Sequence, residues 1–184
     1  MLVLASKSPR RQQILRDAGI AFVVRSGDVP EKRRPGESAA DYVRRLAEEK
    51  AFAVTMTPGE VILGADTVVV VDGLVLEKPS DASDAMRMLG LLAGREHEVI
   101  TGICLRSDTR TIVDVATTCV RFVPLTLDEI EAYAASGEPM DKAGAYAIQG
   151  LASKFIDRVD GSYSNVVGLP VALVWRHLKE IRLG

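Results

Sequence analysis

Apolar residues along the chain fall either into short unbroken runs or into stripes spaced three and four apart, with polar or glycine-containing breaks between them. Residues 2–5 and 21–24 are runs of the kind that form strands. Between them Ser8 and Pro9 supply a helix N-cap and a first helical residue. Ile14, Leu15 and Ala18 give that helix an apolar face, and Gly19 ends it. Ser38, with Asp41 three residues on, resembles a capping box and opens a helix to about Ala53, with Tyr42, Leu46 and Ala53 facing the core. Residues 61–63 read as one strand and the β-branched run 67–71 as another. Asp72-Gly73 then marks a two-residue hairpin that returns through 74–76.

Ala85, Met88, Leu89 and Leu92 give residues 81–93 a helical stripe that stops at Gly94. Residues 98–106 and 111–123 read as strands joined by a turn at 107–110. Thr126 and Glu129 form a capping box for a helix ending at Gly137. A short strand is predicted at 155–159, and Pro170 opens a last helix with Leu173, Val174, Leu178 and Ile181 on one face. Residues 27–38 read as a polar surface loop, and 141–150 and 161–170 as glycine-punctuated connections. Strands and helices interleave throughout, yet several neighbouring strands are joined by tight turns. The pattern predicts an α/β protein with a mixed sheet flanked by helices. At 184 residues a single domain spanning 1–184 is expected.

The chain is 47% apolar and 26% charged, values of an ordinary globular protein. Its 23 basic and 25 acidic side chains give a net charge of −2, which argues against non-specific coating of nucleic acid or an anionic membrane and leaves room for a local basic site. Cys104 and Cys119 lack metal-ligand spacing and read as free thiols. The N-terminal apolar run is too short for a signal core and no run approaches a membrane span, so a cytoplasmic protein is expected.

Candidate chemistry gathers in a few places. Ser6, Ser8, Arg10 and Arg11 lie at the first strand-to-helix junction, where helix N–H groups favour anions and guanidinium suits phosphate. The alternative is a capped surface helix with solvated arginines. No P-loop pattern is present. Asp66, inside Gly64-Ala65-Asp66-Thr67 and flanked by apolar strands, must be paired, metal-bound or functional if buried; otherwise it caps a turn. Lys50 and Lys78 are either phosphate contacts or solvated. Ala143, Gly144 and Ala145 allow close passage of backbone to a ligand, and Gln149 offers both a donor and an acceptor. His97 and His177 do not form a metal pair by spacing.

Taken in order, Leu4-Ala5-Ser6-Lys7-Ser8-Pro9-Arg10-Arg11, Arg45-Leu46-Ala47-Glu48-Glu49-Lys50-Ala51, Gly64-Ala65-Asp66-Thr67 and Leu76-Glu77-Lys78-Pro79 resemble the Maf family of nucleoside triphosphate pyrophosphatases. The segments 141–150 and 161–170 extend the resemblance over essentially the whole chain. It implies an elongated, two-lobed fold like that of the inosine triphosphate pyrophosphatases, with a central cleft. It implies hydrolysis of a nucleoside triphosphate to the monophosphate and pyrophosphate with a divalent cation, Mg²⁺ or Mn²⁺. It also implies Asp66 as proton acceptor, and Arg10, Thr67 and Gln149 as positions of base preference of the dTTP/UTP subgroup rather than the 7-methyl-GTP subgroup. On that basis Ser6, Ser8, Arg10 and Arg11, helped by Lys50 and Lys78, are expected to hold the triphosphate, and Asp66 with Glu31 the metal, Asp66 serving either as a metal ligand or as the base. Gln149 is expected to pair with the imide edge of uracil or thymine, its amide oriented by Thr67 or Arg10. A homodimer is plausible for such a fold. A nucleotide-binding regulator of cell division is the competing reading.

Overall fold

In the computed structural model, which describes residues 1–183, the central strand of the N-terminal region is β1 (Leu2–Leu4), buried along its whole length. It pairs in parallel with β2 (Phe22–Val24) on one side and β3 (Val61–Val71) on the other, Leu2 lying opposite both Phe22 and Val61. Parallel neighbours need a crossover, and α1 (Pro9–Asp17) and α2 (Ala39–Phe52) supply the two. Ser8 caps α1 by accepting from the Arg11 amide, and Ser38 caps α2 by accepting from the Asp41 amide.

Asp72 and Gly73 both take positive φ, 48° and 78°, as a two-residue hairpin turn requires, and β4 (Leu74–Leu76) returns antiparallel along β3. Then follow α3 (Ala82–Leu92), β5 (Glu96–Arg106), β6 (Thr111–Phe122), α4 (Leu127–Ala135), β7 (Ile156–Asp160), α5 (Tyr163–Val167) and α6 (Val171–Leu183). The seven strands form one mixed sheet in the order β2-β1-β3-β5-β6-β7, with β4 on β3. Thr126 and Glu129 close a full reciprocal capping box on α4.

The chain divides into two compact units of interleaved segments. The first comprises Met1–Thr67, Thr101–Ala116 and the segment from Gly168 on; the second comprises Val68–Ile100 and Thr117–Val167. The core of the first unit is Val3, Leu4, Leu15, Tyr42, Leu46, Ala47, Ile62, Leu63, Cys104 and Leu178. That of the second unit centres on a ring cluster in which Phe122 meets His97 and Tyr146 edge-on at centroid distances of 5.1 and 4.9 Å, and Tyr133 meets Phe155 at 5.6 Å. Both cysteines are free. Among the described residues no helix is long and apolar enough to cross a membrane.

Three sequence expectations differ from the structure. Residues 61–71 form one uninterrupted strand rather than two strands broken at Gly64. Gly64 is small for a non-local reason: a Cβ there would run into the Ala47 carbonyl and the Ala51 amide of α2, so the glycine lets the helix lie directly on the strand. Ala53 is the exposed C-cap of α2, and Ala47 and Ala51 fill the core in its place. Within 161–170, read as irregular, Ser162 starts the short helix α5 by accepting from the Asn165 amide at 3.3 Å.

Candidate active site

The C-terminal ends of β1 and β3 lie side by side, with Leu4 opposite Leu63 and the Ala5 amide donating to the Leu63 carbonyl at 2.8 Å. The connection leaving β1 runs to β2 on one side, and the next returns to β3 on the other. Open α/β sheets place ligands at such a reversal, outside the carboxyl ends of the strands. The strand pleat sends Gly64 and Asp66 to one face and Ala65 and Thr67 to the other.

On the first face, Asp66 is only 8% exposed. Lys50 of α2 donates to its Oδ1 at 2.5 Å, and the same ammonium reaches Glu31 Oε1 at 2.6 Å. The close approach at Gly64 brings α2 near enough for that contact. Burial pushes the Asp66 carboxyl above the ordinary carboxylate range, against the opposing pull of Lys50 and Arg11. Asp66 Oδ2 has no hydrogen-bond partner among the described residues. Glu31 sits in the loop of residues 27–38, which Arg45 straps onto α2. Arg45 binds Glu37 through Nε at 2.7 Å and Nη2 at 2.8 Å, Glu49 through Nη1 at 3.1 Å, and the Lys32 carbonyl at 3.1 Å. The paired Arg45 fork holds the Glu37 carboxyl down at about 2.

At the other face, Arg11 ties four segments together. Its Nε donates to the Gly168 carbonyl at 2.8 Å, Nη1 to Ser6 Oγ at 3.3 Å and the Ala65 carbonyl at 2.9 Å, and Nη2 to Thr67 Oγ1 at 3.1 Å. Burial lowers the guanidinium pKa, and Asp66 and Glu31 oppose that shift. Thr67 Oγ1 also pairs with Thr101 Oγ1 at 2.9 Å and lies 3.4 Å from the Gly168 carbonyl, so its one donor and two acceptor positions are filled. Ser6 Oγ accepts from Arg11 and from the Ser8 amide at 3.2 Å, which leaves its proton as the remaining capacity, suited to an anion.

The first unit thus brings together Ser6, Ser8, Arg11, Glu31, Lys50, Asp66 and Thr67, with Arg10 next to Arg11 on α1 and within electrostatic reach of it. Lys78 and Gln149 are both exposed and belong to the second unit. There the Gly144 amide donates to the Glu77 carbonyl at 3.1 Å, joining the 141–150 segment to the residue before Lys78. Reading the sequence missed Arg45 as the strap for Glu31, although Arg45 and Glu49 stand at the i,i+4 spacing of a helix pair. It also missed Thr101, which carries no local signal, and the partnership of Gly168 with Arg11, although Gly168 lies in the glycine-punctuated segment 161–170.

Among the described residues no group of three or more His, Cys, Asp or Glu side chains is placed to hold a metal ion by itself. The donor set that is present is two carboxylates converging on one cationic atom, Lys50 Nζ. That set fits a hard divalent cation of the kind bound by one or two carboxylates together with substrate phosphates.

The sheet and this cluster define an α/β protein with a mixed-charge cluster of side chains at parallel strand ends. A family model described as Maf-like protein matches residues 1–181, and the chain belongs to the Maf family. It is 48% identical over 180 residues to a dTTP/UTP pyrophosphatase of Koribacter versatilis, covering 97% of this chain and 93% of that protein. It is 54% identical over 175 residues to a dTTP/UTP pyrophosphatase of Anaeromyxobacter dehalogenans, covering 93% and 89%. A solved HAM1 protein from Coxiella burnetii aligns with a TM-score of 0.45 at 17% identity, over 80% of this chain and 87% of that one.

Proposed function

We propose that the chain is a nucleoside triphosphate pyrophosphatase that hydrolyses dTTP and UTP to the monophosphate and pyrophosphate. The observation that carries this reading is the buried Asp66, held by Lys50 on one oxygen and open on the other, beside the donor-rich corner of Ser6, Ser8 and Arg11. The relatives at 48–54% identity carry the names of that activity.

In this reading the Ser6 and Ser8 hydroxyls and Arg10 donate to phosphate oxygens. Arg11 keeps the corner, Ala65 and Thr67 in one arrangement. Asp66 takes the proton of the attacking water on Oδ2, with Lys50 fixing the carboxylate through Oδ1. Burial suits Asp66 to this task, since a carboxyl raised above its usual range is a stronger proton acceptor. Glu31 would hold a divalent cation, with Asp66 joining it only where its carboxylate serves the metal in place of the proton. When bound, such an ion neutralises charge building on the phosphate oxygens and polarises the phosphorus. Thr67 contributes through Arg11, because its hydroxyl has no capacity left for a base. On the second unit, the Gln149 carboxamide suits pairing with the imide edge of uracil or thymine, and the exposed Lys78 ammonium suits a phosphate oxygen.

The test is a panel of nucleoside triphosphates with and without Mg²⁺ or Mn²⁺, with the products identified. Metal-dependent release of pyrophosphate, fastest from UTP and dTTP, is expected. Orthophosphate as the product, or faster turnover of 7-methyl-GTP, contradicts the reading. Binding without turnover favours a nucleotide-sensing regulator instead.

A further inference from the structure

Gln149 is exposed at the tip of a turn flanked on one side by a contact to Tyr133 and on the other by a contact to Glu138, two side chains that are bonded to each other. Tyr133, buried on α4, donates its hydroxyl to Glu138 Oε1 at 2.7 Å and accepts from the Ala147 amide at 3.1 Å. Glu138 Oε2 accepts from the Leu151 amide at 3.1 Å. Ala147 and Leu151 stand two residues before and two after Gln149, and the Gly150 amide closes the turn on the Ala147 carbonyl at 3.1 Å. Glu138 is fixed in turn by Lys142, whose ammonium donates to its carbonyl at 2.6 Å. Gly150 lies directly on the clamp, since a Cβ there would run into the Glu138 carboxylate. Within the turn Ile148 is buried and Gln149 points outward.

All these groups belong to the second unit. We propose that Tyr133 and Glu138 are positioning residues for Gln149, holding its backbone so that the carboxamide meets the imide edge of a uracil or thymine base in one place. This rests on the reading of Gln149 given above. Hydrogen bonds to an ionised acceptor are stronger than neutral ones, so a carboxylate shared by a phenol and an amide is a stiff support for a surface turn. A turn already ordered loses less freedom when a base binds, and a fixed carboxamide discriminates by leaving polar groups unpaired against the wrong edge. Thr67, whose hydroxyl is saturated within the first unit, is replaced in the orienting role by a device local to Gln149.

The experiment compares steady-state kinetics on UTP and CTP, which differ at that edge, for wild type, Tyr133→Phe, Glu138→Gln, Gln149→Ala and the Tyr133→Phe/Gln149→Ala double variant. Phe removes the hydroxyl, and Gln has only one oxygen with which to accept from both Tyr133 and Leu151. Each single change at the clamp is expected to lower the UTP-over-CTP ratio of kcat/KM by about tenfold, through a higher KM for UTP with kcat within about threefold of wild type. Tyr133→Phe should cost nothing further once Gln149 is Ala. Hydrogen exchange at the Ala147 and Leu151 amides should quicken in both clamp variants. If Tyr133→Phe does not fold, Glu138→Gln carries the comparison. A wild-type ratio in the clamp variants while Gln149→Ala lowers it overturns this proposal alone, as does a Tyr133→Phe loss that adds fully to that of Gln149→Ala. A wild-type ratio in Gln149→Ala removes the reading of Gln149, and the proposal falls with it.

Discussion

Asp66 and Thr67 are adjacent in the chain, yet the pleat of β3 gives them separate partners: Lys50 of α2 for Asp66 and Arg11 of α1 for Thr67. One dipeptide therefore links the Asp66–Lys50 pair to the Arg11 corner through a single strand. The pKa of Asp66 is a balance between burial, which raises it, and Lys50 and Arg11, which lower it. A general base must be ionised, so on the proposed role of Asp66 activity is expected to fall as pH drops through that pKa, with the acid limb above the ordinary carboxylate range. Lys50→Met removes a lowering influence. The acid limb of its kcat profile is expected to move to higher pH than in wild type, and a limb that stays in place or moves to lower pH contradicts the balance.

Among the elements, the contact of α2 with the sheet sets the site. Gly64 of β3 and Gly102 of β5 both abut the helix backbone, at Ala47 and at Val43. Gly64→Ala is expected to cost about 1–3 kcal/mol by overpacking, read from the denaturant midpoint, and to lower kcat because the displaced helix carries Lys50. Gly90→Ala, at an open position inside α3, should instead be neutral or stabilising by up to about 1 kcal/mol. This difference also marks what a sequence discloses. Ser8-Pro9, the Thr126/Glu129 box and the Asp72-Gly73 turn act within a few residues, and the elements they bound are where their residue types place them. Gly64 reads as a break because its reason for being small lies outside β3, at Ala47 and Ala51 of α2. Arg11 reads as a phosphate ligand, but most of its donors go to Ser6, Ala65, Thr67 and Gly168, the last 157 residues away. Tyr133 and Glu138 gain meaning only when the segment of residues 147–151 folds back onto them.

At the scale of the whole molecule, two units are assembled from alternating stretches of chain; three of the four boundaries fall inside β3, β5 and β6, so those strands run through both, and the fourth follows α5. The second unit stores a pH dependence of folding. His97 is buried against Phe122 and Tyr146, its Nε2 lies 2.8 Å from the Tyr146 hydroxyl and its Nδ1 has no partner among the described residues. Burial lowers its pKa to about 4 from an ordinary 6.5. The unfolded chain therefore binds the proton first, and stability is full above pH 6.5 and declines as pH falls towards 4. Between pH 7 and 5 the expected loss is roughly 2 kcal/mol, absent in His97→Gln, measurable by denaturant unfolding across that range. An equal slope in the two proteins contradicts it. For activity, the claim on which the rest depends is that Asp66 takes the proton in the cleavage of a nucleoside triphosphate. The direct measurement is single-turnover release of pyrophosphate from UTP by Asp66→Asn, alongside equilibrium binding of UTP. The expected result is a rate reduced on the order of 10³-fold with nucleotide binding retained. A rate within a few-fold of wild type would show that the proton goes elsewhere.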